Sequence, residues 1–487
     1  MDIHSLIPTY LPCQEDRFRA SFVCRHWRRT FLKRAELWTH LILSKGKVYT
    51  KTLLERSQGS PLNVYIEGAV PASTMMLLAS HTKRVSNLVF THNGLADIHS
   101  FLQLNPGPLS LLHTLSLNTF AEDRPIDFNN THPSLALFST AVNLNVFHFL
   151  SNSVRFPSLS HFVLPNLVEF QLLVIPREEV LVCPLLDFLE ASPMLRMVWV
   201  RIIATISFEG VPRERVVTLP AAEDITLIMT DGGPGYRIAT HLSCPSAKRT
   251  SLTHKKRTHD AIPEENIPTF APLSAIVHRY TKHPVEEIAL EINIGQTIAC
   301  ELTFRSSDAT VIQLCFKVTE GDRNAFEFLL PSTEIYDVVL AQATRTVQNH
   351  PQLSSLKRLR ICHGFPVPLS TQLSYIANEA GQLFKSIGPL DELTIYGCDL
   401  RPYLNCLPNS PEGHTAETVM LPPIKELTIS HPVDLSDDEC TAILRLAKSR
   451  HTSGIPFERV TLHGEGTPQG MNRWLEPWVT TRRSELL

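Results

Sequence analysis

Most features that would fix a function at sight are missing from these 487 residues. No two of the ten cysteines form a C-x-x-C pair, and their scatter is that of reduced, mostly buried thiols in a cytosolic or nuclear protein. The opening MDIHSLIPTYLPCQEDR lacks the basic flank, the long apolar core and the small-residue cleavage site of a secretory signal. The sequon Asn129-Asn130-Thr131 therefore carries no weight. No apolar run reaches the roughly 18 residues of a membrane span. MLRMVWVRIIATISF comes nearest and carries Arg196 and Arg201, so no membrane is expected as partner. Neither sign of charge dominates: the net value is -3, which gives no reason to expect nucleic acid as a partner.

Catalytic constellations are absent too. There is no G-x-S-x-G, P-loop or H-E-x-x-H. Gly464, Gly466 and Gly470 stand between a strand and a helix pattern, where backbone N–H groups could cradle a phosphate. A dinucleotide fingerprint needs an acidic residue about 20 positions on, but only 17 residues (487 − 470) follow Gly470. A plain turn is the stronger reading. DGGPGYR, from Asp231, is a second glycine turn. His254 and His259 have no cysteine or carboxylate set nearby, which argues against a metal site. The basic cluster Lys248, Arg249, Lys255, Lys256 and Arg257 reads as a solvated loop before a nuclear import signal. The chain is expected to be no enzyme, with no catalytic residue, cofactor or metal.

What is present begins with SFVCRHWRRTFLKRAELWTHL, residues 21–41. Asp16 fits a helix N-cap. Phe18, Phe22, Val23, Trp27, Phe31 and Leu32 follow at three- and four-residue steps, one apolar stripe flanked by basic side chains. Leu37, Trp38 and Leu41 add a second cluster. About 40 residues hold too little apolar surface to stand alone, so this segment is expected to pack on the next domain, and the plain reading is a helical cap with Trp27 and Trp38 in its core.

Val23, Cys24, Trp27, Leu37 and Trp38 match the V-C-x-x-W and later L-W of an F-box, and the segment closely resembles that family's second half. The Leu-Pro-x-Glu opening of the family is absent, and Pro8 falls where its first helix would run. The resemblance implies that residues 1–44 dock on a Skp-type adaptor, and through it a cullin, by Leu11, Val23, Cys24, Trp27 and Trp38.

From about residue 60 a short apolar strand pattern recurs, with anchors at Leu115, Phe170, Val198, Ile225, Ile288, Leu359, Leu393, Leu427 and Val460. Weaker copies sit at Leu88 and Phe147. The last four anchors are 34, 34 and 33 residues apart (359, 393, 427, 460). Units that cannot bury their own apolar face must stack. LSSLKRLRI and LPPIKELTI come close to the leucine-rich-repeat strand motif. The region resembles the irregular repeats that follow an F-box in large fungal families. An ordinary domain of alternating strands and helices competes with that reading.

The fold class expected is therefore α/β: short N-terminal F-box helices followed by a leucine-rich-repeat-like solenoid. Its first half spans residues 60–242 and its second 273–475. Residues 243–272, proline-rich and charged, read as a disordered loop. Alternation near 298–319 reads as a β-hairpin turning near Ser306 to Asp308 and decorating the solenoid.

In RMVWVRI, Val198, Val200 and Ile202 share one strand face and Met197, Trp199 and Arg201 the other. The apolar trio is expected to point inward, leaving Trp199 and Arg201 on a concave sheet. The outward positions of other copies are modest: Ser116, Gln171, Thr226, Thr394 and Thr428, with Arg360 the charged exception. Trp199, Arg201 and Arg360 are the candidate contacts for a protein substrate, since Trp and Arg dominate interface hot spots. A Trp199 that merely fills space beneath a loop is the competing reading. Together these readings describe the substrate-recognition subunit of a Skp–cullin–F-box ubiquitin ligase, cytoplasmic or nuclear. The alternative is a repeat scaffold with no ligase attached.

Overall fold

A computed structural model describes residues 14–91, 100–101, 103–104, 109–119, 126–127, 141–151, 154–155, 164–175, 180–203, 206–230, 236–257, 285–294, 297–306, 311–319, 356–364, 384, 387, 389–397, 423–430, 435–463 and 471–479. They form two compact units, Met1–Ala222 and Glu223–Leu487.

The first unit runs α1 (Gln14–Ala20), α2 (Arg25–Lys33), β1 (His40–Ile42), α3 (Lys47–Ser57), β2 (Leu62–Glu67), β3 (Val85–Thr91), β4 (Thr114–Thr119), β5 (Val146–Ser151), β6 (Glu169–Val174), α4 (Cys183–Glu190) and β7 (Met197–Ile203). β1 to β7 pair in chain order, each parallel to the next. Their register aligns Leu41, Val64, Leu88, Leu115, Phe147, Phe170 and Val198 in one column. Every one of these is at most 1% exposed. A second buried column, two residues on, holds Ile66, Phe90, Leu117, Phe149, Leu172 and Val200. Burying such a side chain is worth about 1.5–3 kcal/mol. α4 closes over this face: Phe188 meets Phe170 at 4.7 Å and Phe147 at 6.3 Å between ring centroids.

β4 to β7 are each set up by the same turn. Leu112 N–H donates to Leu109, Leu144 to Ala141, Leu167 to Leu164 and Leu195 to Ser192, at 2.9–3.3 Å. The strand anchor stands three positions after the second buried turn position, so Leu109, Leu112, Leu115 and Leu117 form one L-x-x-L-x-x-L-x-L series. Asn143 Nδ2 donates to Ser110 O and Asn166 Nδ2 to Val142 O, both 2.7 Å, stitching each turn to the one before.

The second unit holds β8 (Asp224–Thr230), β9 (Arg249–Arg257), β10 (Val285–Ile294), β11 (Thr297–Ser306), β12 (Val311–Thr319), β13 (Arg358–Gly364), β14 (Leu390–Gly397), β15 (Ile424–Ser430), α5 (Asp437–Thr452) and β16 (Arg459–His463). The strand order is β8-β9-β12-β11-β10-β13-β14-β15-β16. Pairing is parallel except where β11 runs antiparallel to β10 and β12. Ile288, Leu359, Leu393, Leu427 and Val460 again fall in one register. α5 starts on a capping box: Glu439 N–H donates to Ser436 Oγ at 3.3 Å while Ser436 N–H donates to Glu439 Oε2 at 2.9 Å. It ends at Gly454, whose φ of 76° suits the left-handed residue after a helix. Cys440, Ile443, Leu446 and Ala447 make its buried face.

Two sequence expectations are corrected here. Residues 249–257, expected in a loop, form β9, paired on both sides by β8 and β12; residues 258–272 lie outside the described ones. The hairpin strands β11 and β12 do not decorate the sheet; they are inserted into it, because β12 supplies the parallel partner of β9. Residues 307–308 of the expected turn lie outside the described residues.

Candidate functional site

The N-terminal helices are short because the chain breaks after Ala20. Ser21 N–H still donates to Arg17 O and its hydroxyl to Phe18 O, and the helix stops there. Cys24 then caps α2, its Sγ accepting from Trp27 N–H at 3.5 Å. Asp16, expected as an N-cap, lies inside α1. The break also divides the expected apolar stripe. Phe31 is 1% exposed and Trp38 0%, whereas Phe22 and Val23, in the turn, are 67% and 65% exposed. Trp27 is half-buried and stacks on Phe31 at 6.1 Å, and the Arg28 guanidinium lies 5.7 Å over the Phe22 ring.

Trp38 is corrected from a contact surface to the core. Its Nε1–H donates to Phe31 O at 2.9 Å, its ring meets Phe18 edge-on at 5.1 Å, and Arg56 covers it at 4.6 Å. Burial, with Arg28 nearby, pushes the Arg56 pKa below its ordinary value. Of the residues expected to hold an adaptor, Val23, Cys24 and Trp27 therefore share the outer surface. Leu11 lies outside the described residues.

A second surface is the face of the first unit opposite the buried columns. In register across it lie Tyr65, Val89, Ser116, His148, Gln171 and Trp199, all half-exposed. Toward its β7 end the row becomes chemically distinctive. His148 Nε2 stands 3.0 Å from Glu169 Oε1, and Gln171 Nε2 donates to the same oxygen at 2.8 Å. Trp199 lies beside Gln171, and Arg201 beside Leu173. Val198, Val200 and Ile202 point inward as expected, each at most 1% exposed. Sequence reasoning ranked Gln171 as a modest neighbour and missed His148 and Glu169; both stand next to a buried anchor, which was the signal available.

Arg360 belongs to the second unit. It is exposed and paired in register with Ala289 and Thr394. Thr394, Thr428 and Thr461 continue its row. Trp199 and Arg201 belong to the first unit. The expected basic loop is also resolved into pairs: Lys248 meets Glu223 at 2.8 Å, and Arg249 pairs with Asp224.

No protein-family model matches the chain. No curated protein matches it either. Among solved structures it is similar to the crystal structure of the LRIM1/APL1C complex, at 12% identity and a TM-score of 0.18. The match covers 59% of this chain and 51% of that one, so the chain spans about half its length.

Proposed function

We propose that this chain is the substrate-recognition subunit of a Skp–cullin–F-box ubiquitin ligase. The N-terminal turn and α2 would hold a Skp-type adaptor, and the half-exposed face of the first unit would hold a protein substrate. The observation that carries the reading is the exposure of Phe22 and Val23, at 67% and 65%, beside Trp27 within the V-C-x-x-W segment. Large apolar side chains clustered in water mark places that a partner covers. The chemistry belongs to partner enzymes in this reading, and the chain supplies proximity in the cytoplasm or nucleus.

The repeat region is read as a leucine-rich-repeat-like solenoid. Parallel sheets of ordinary α/β domains are covered on both faces, whereas the outward positions of β4 to β7 are half-exposed or exposed. The recurring L-x-x-L-x-x-L-x-L turn and strand point the same way.

A scaffold without a ligase is the second reading, and the burial of Trp38 favours it, because that residue is spent on the chain's own core. Co-expression with a Skp-type adaptor separates the two. Recovery of a complex from wild type but not from Val23→Asp, at equal melting temperature, supports the ligase subunit. No complex from the folded wild-type chain leaves the scaffold.

A further inference from the structure

On the half-exposed face of the first unit, Arg201 forms no ion pair among the described residues. The Arg201 Nε is shielded from solvent and has no hydrogen-bond partner. Its register neighbours toward β4 are Leu173 and then Leu150, and neither can accept. Of the acidic groups described on this face, Glu67 stands on β2, five strands away, and Glu169 is in register with Met197, four residues before Arg201. That is about 13 Å away along a strand. Its Oε1 is moreover engaged by His148 and Gln171. Other arginines meet carboxylates: Arg215 reaches Asp187 and Glu190 at 2.7 Å, and Arg459 reaches Glu426 at 3.0 Å.

The shielded Nε is out of a partner's reach, but the half-exposed guanidinium can pair with a carboxylate through its terminal nitrogens. Two positions earlier on the same strand face, about 6.6 Å away, Trp199 offers a half-exposed indole. We infer that this face selects an extended peptide segment bearing a carboxylate next to a large apolar side chain. The carboxylate pairs with Arg201 and the apolar group rests on Trp199. The positive charge of Arg201 decides the sign of the partner.

The inference rests on the reading of this face as a partner site. Its test is an array of random heptapeptides, each made with an amidated and a free-acid end, probed with the full chain, with Trp199→Ala and with Arg201→Gln. Bound peptides should be enriched in Asp or Glu within two residues of a large apolar residue. Exchanging that acid for its amide should weaken binding at least tenfold in wild type and little in Arg201→Gln. A preference confined to the free-acid set assigns the carboxylate to a chain end; one present in both assigns it to a side chain. Binders that depend on Trp199 but show no acidic preference overturn the inference and leave the face as a partner site. An array without any Trp199-dependent binder overturns both.

Discussion

The Trp38 indole N–H donates to the carbonyl of Phe31, 2.9 Å away and seven residues earlier, and this bond ties the end of α2 to the turn that leads into the first strand. With Phe18 and Arg56 packed on its ring, Trp38 is a structural residue, while Val23 beside the same helix faces water. The two positions should therefore fail differently. Trp38→Ala should lower unfolding free energy by about 3–5 kcal/mol, the usual range for a buried aromatic. Val23→Asp should leave it within about 0.5 kcal/mol. Urea titration of both variants checks this; a stability loss at Val23 matching that at Trp38 would place Val23 in the core.

Ser192 occupies the turn position held by Leu109, Ala141 and Leu164 in the preceding copies. It is 0% exposed and its hydroxyl has no partner. Ser192→Ala should raise stability by about 1 kcal/mol, because an unsatisfied buried hydroxyl is removed at little cost in volume. A fall in melting temperature would mean that the hydroxyl is satisfied.

Much of the fold is legible along the chain. The anchors Leu88, Leu115, Phe147, Phe170 and Val198, taken from alternation alone, sit in one register, because each copy must present the same face to a shared core. The Pro in Leu164-Pro165-Asn166-Leu167 and Ser192-Pro193-Met194-Leu195 was an unused turn signal, since proline favours the second turn position. RTSLTHKKR was not legible as β9, because only Leu252 is a large apolar residue and its partners on β8 and β12 come from distant sequence. The break after Ala20 carries no glycine or proline, so the exposure of Phe22 and Val23 was hidden. A buried Trp38 was the plain alternative for this segment, and the residue that covers it, Arg56, lies beyond it.

β9 offers a direct check on that correction. Amides of 249–257 are hydrogen-bonded within a sheet between two neighbours and should exchange slowly. Hydrogen-exchange mass spectrometry reads this; complete exchange within seconds would return the segment to a loop.

Arg450 is 4% exposed, donates to Ile424 O at 3.2 Å and lies 4.5 Å over Phe457, with Nε and Nη1 unsatisfied. Burial lowers its pKa from the ordinary arginine value to about 10. A base with a lowered folded pKa holds fewer protons folded than unfolded, so stability rises with pH from about 10 up to the ordinary arginine pKa. Below that window the full cost of the buried charge applies. Arg450→Met should thus be neutral or stabilising near pH 8, by up to about 1–4 kcal/mol. Its advantage over wild type should shrink above pH 10. Denaturant curves at the two pH values decide; a pH-independent loss in the variant would contradict the desolvation account.

The central claim is that the turn holding Phe22 and Val23 is covered by a Skp-type adaptor. Isothermal titration of a purified Skp-type adaptor into the full chain, alongside Val23→Asp and Trp199→Ala, measures it most directly. Saturable one-to-one binding by wild type and Trp199→Ala, lost in Val23→Asp at unchanged melting temperature, is the expected result. Equal binding by Val23→Asp and wild type, or no heat of binding from a folded wild-type chain, would contradict the account.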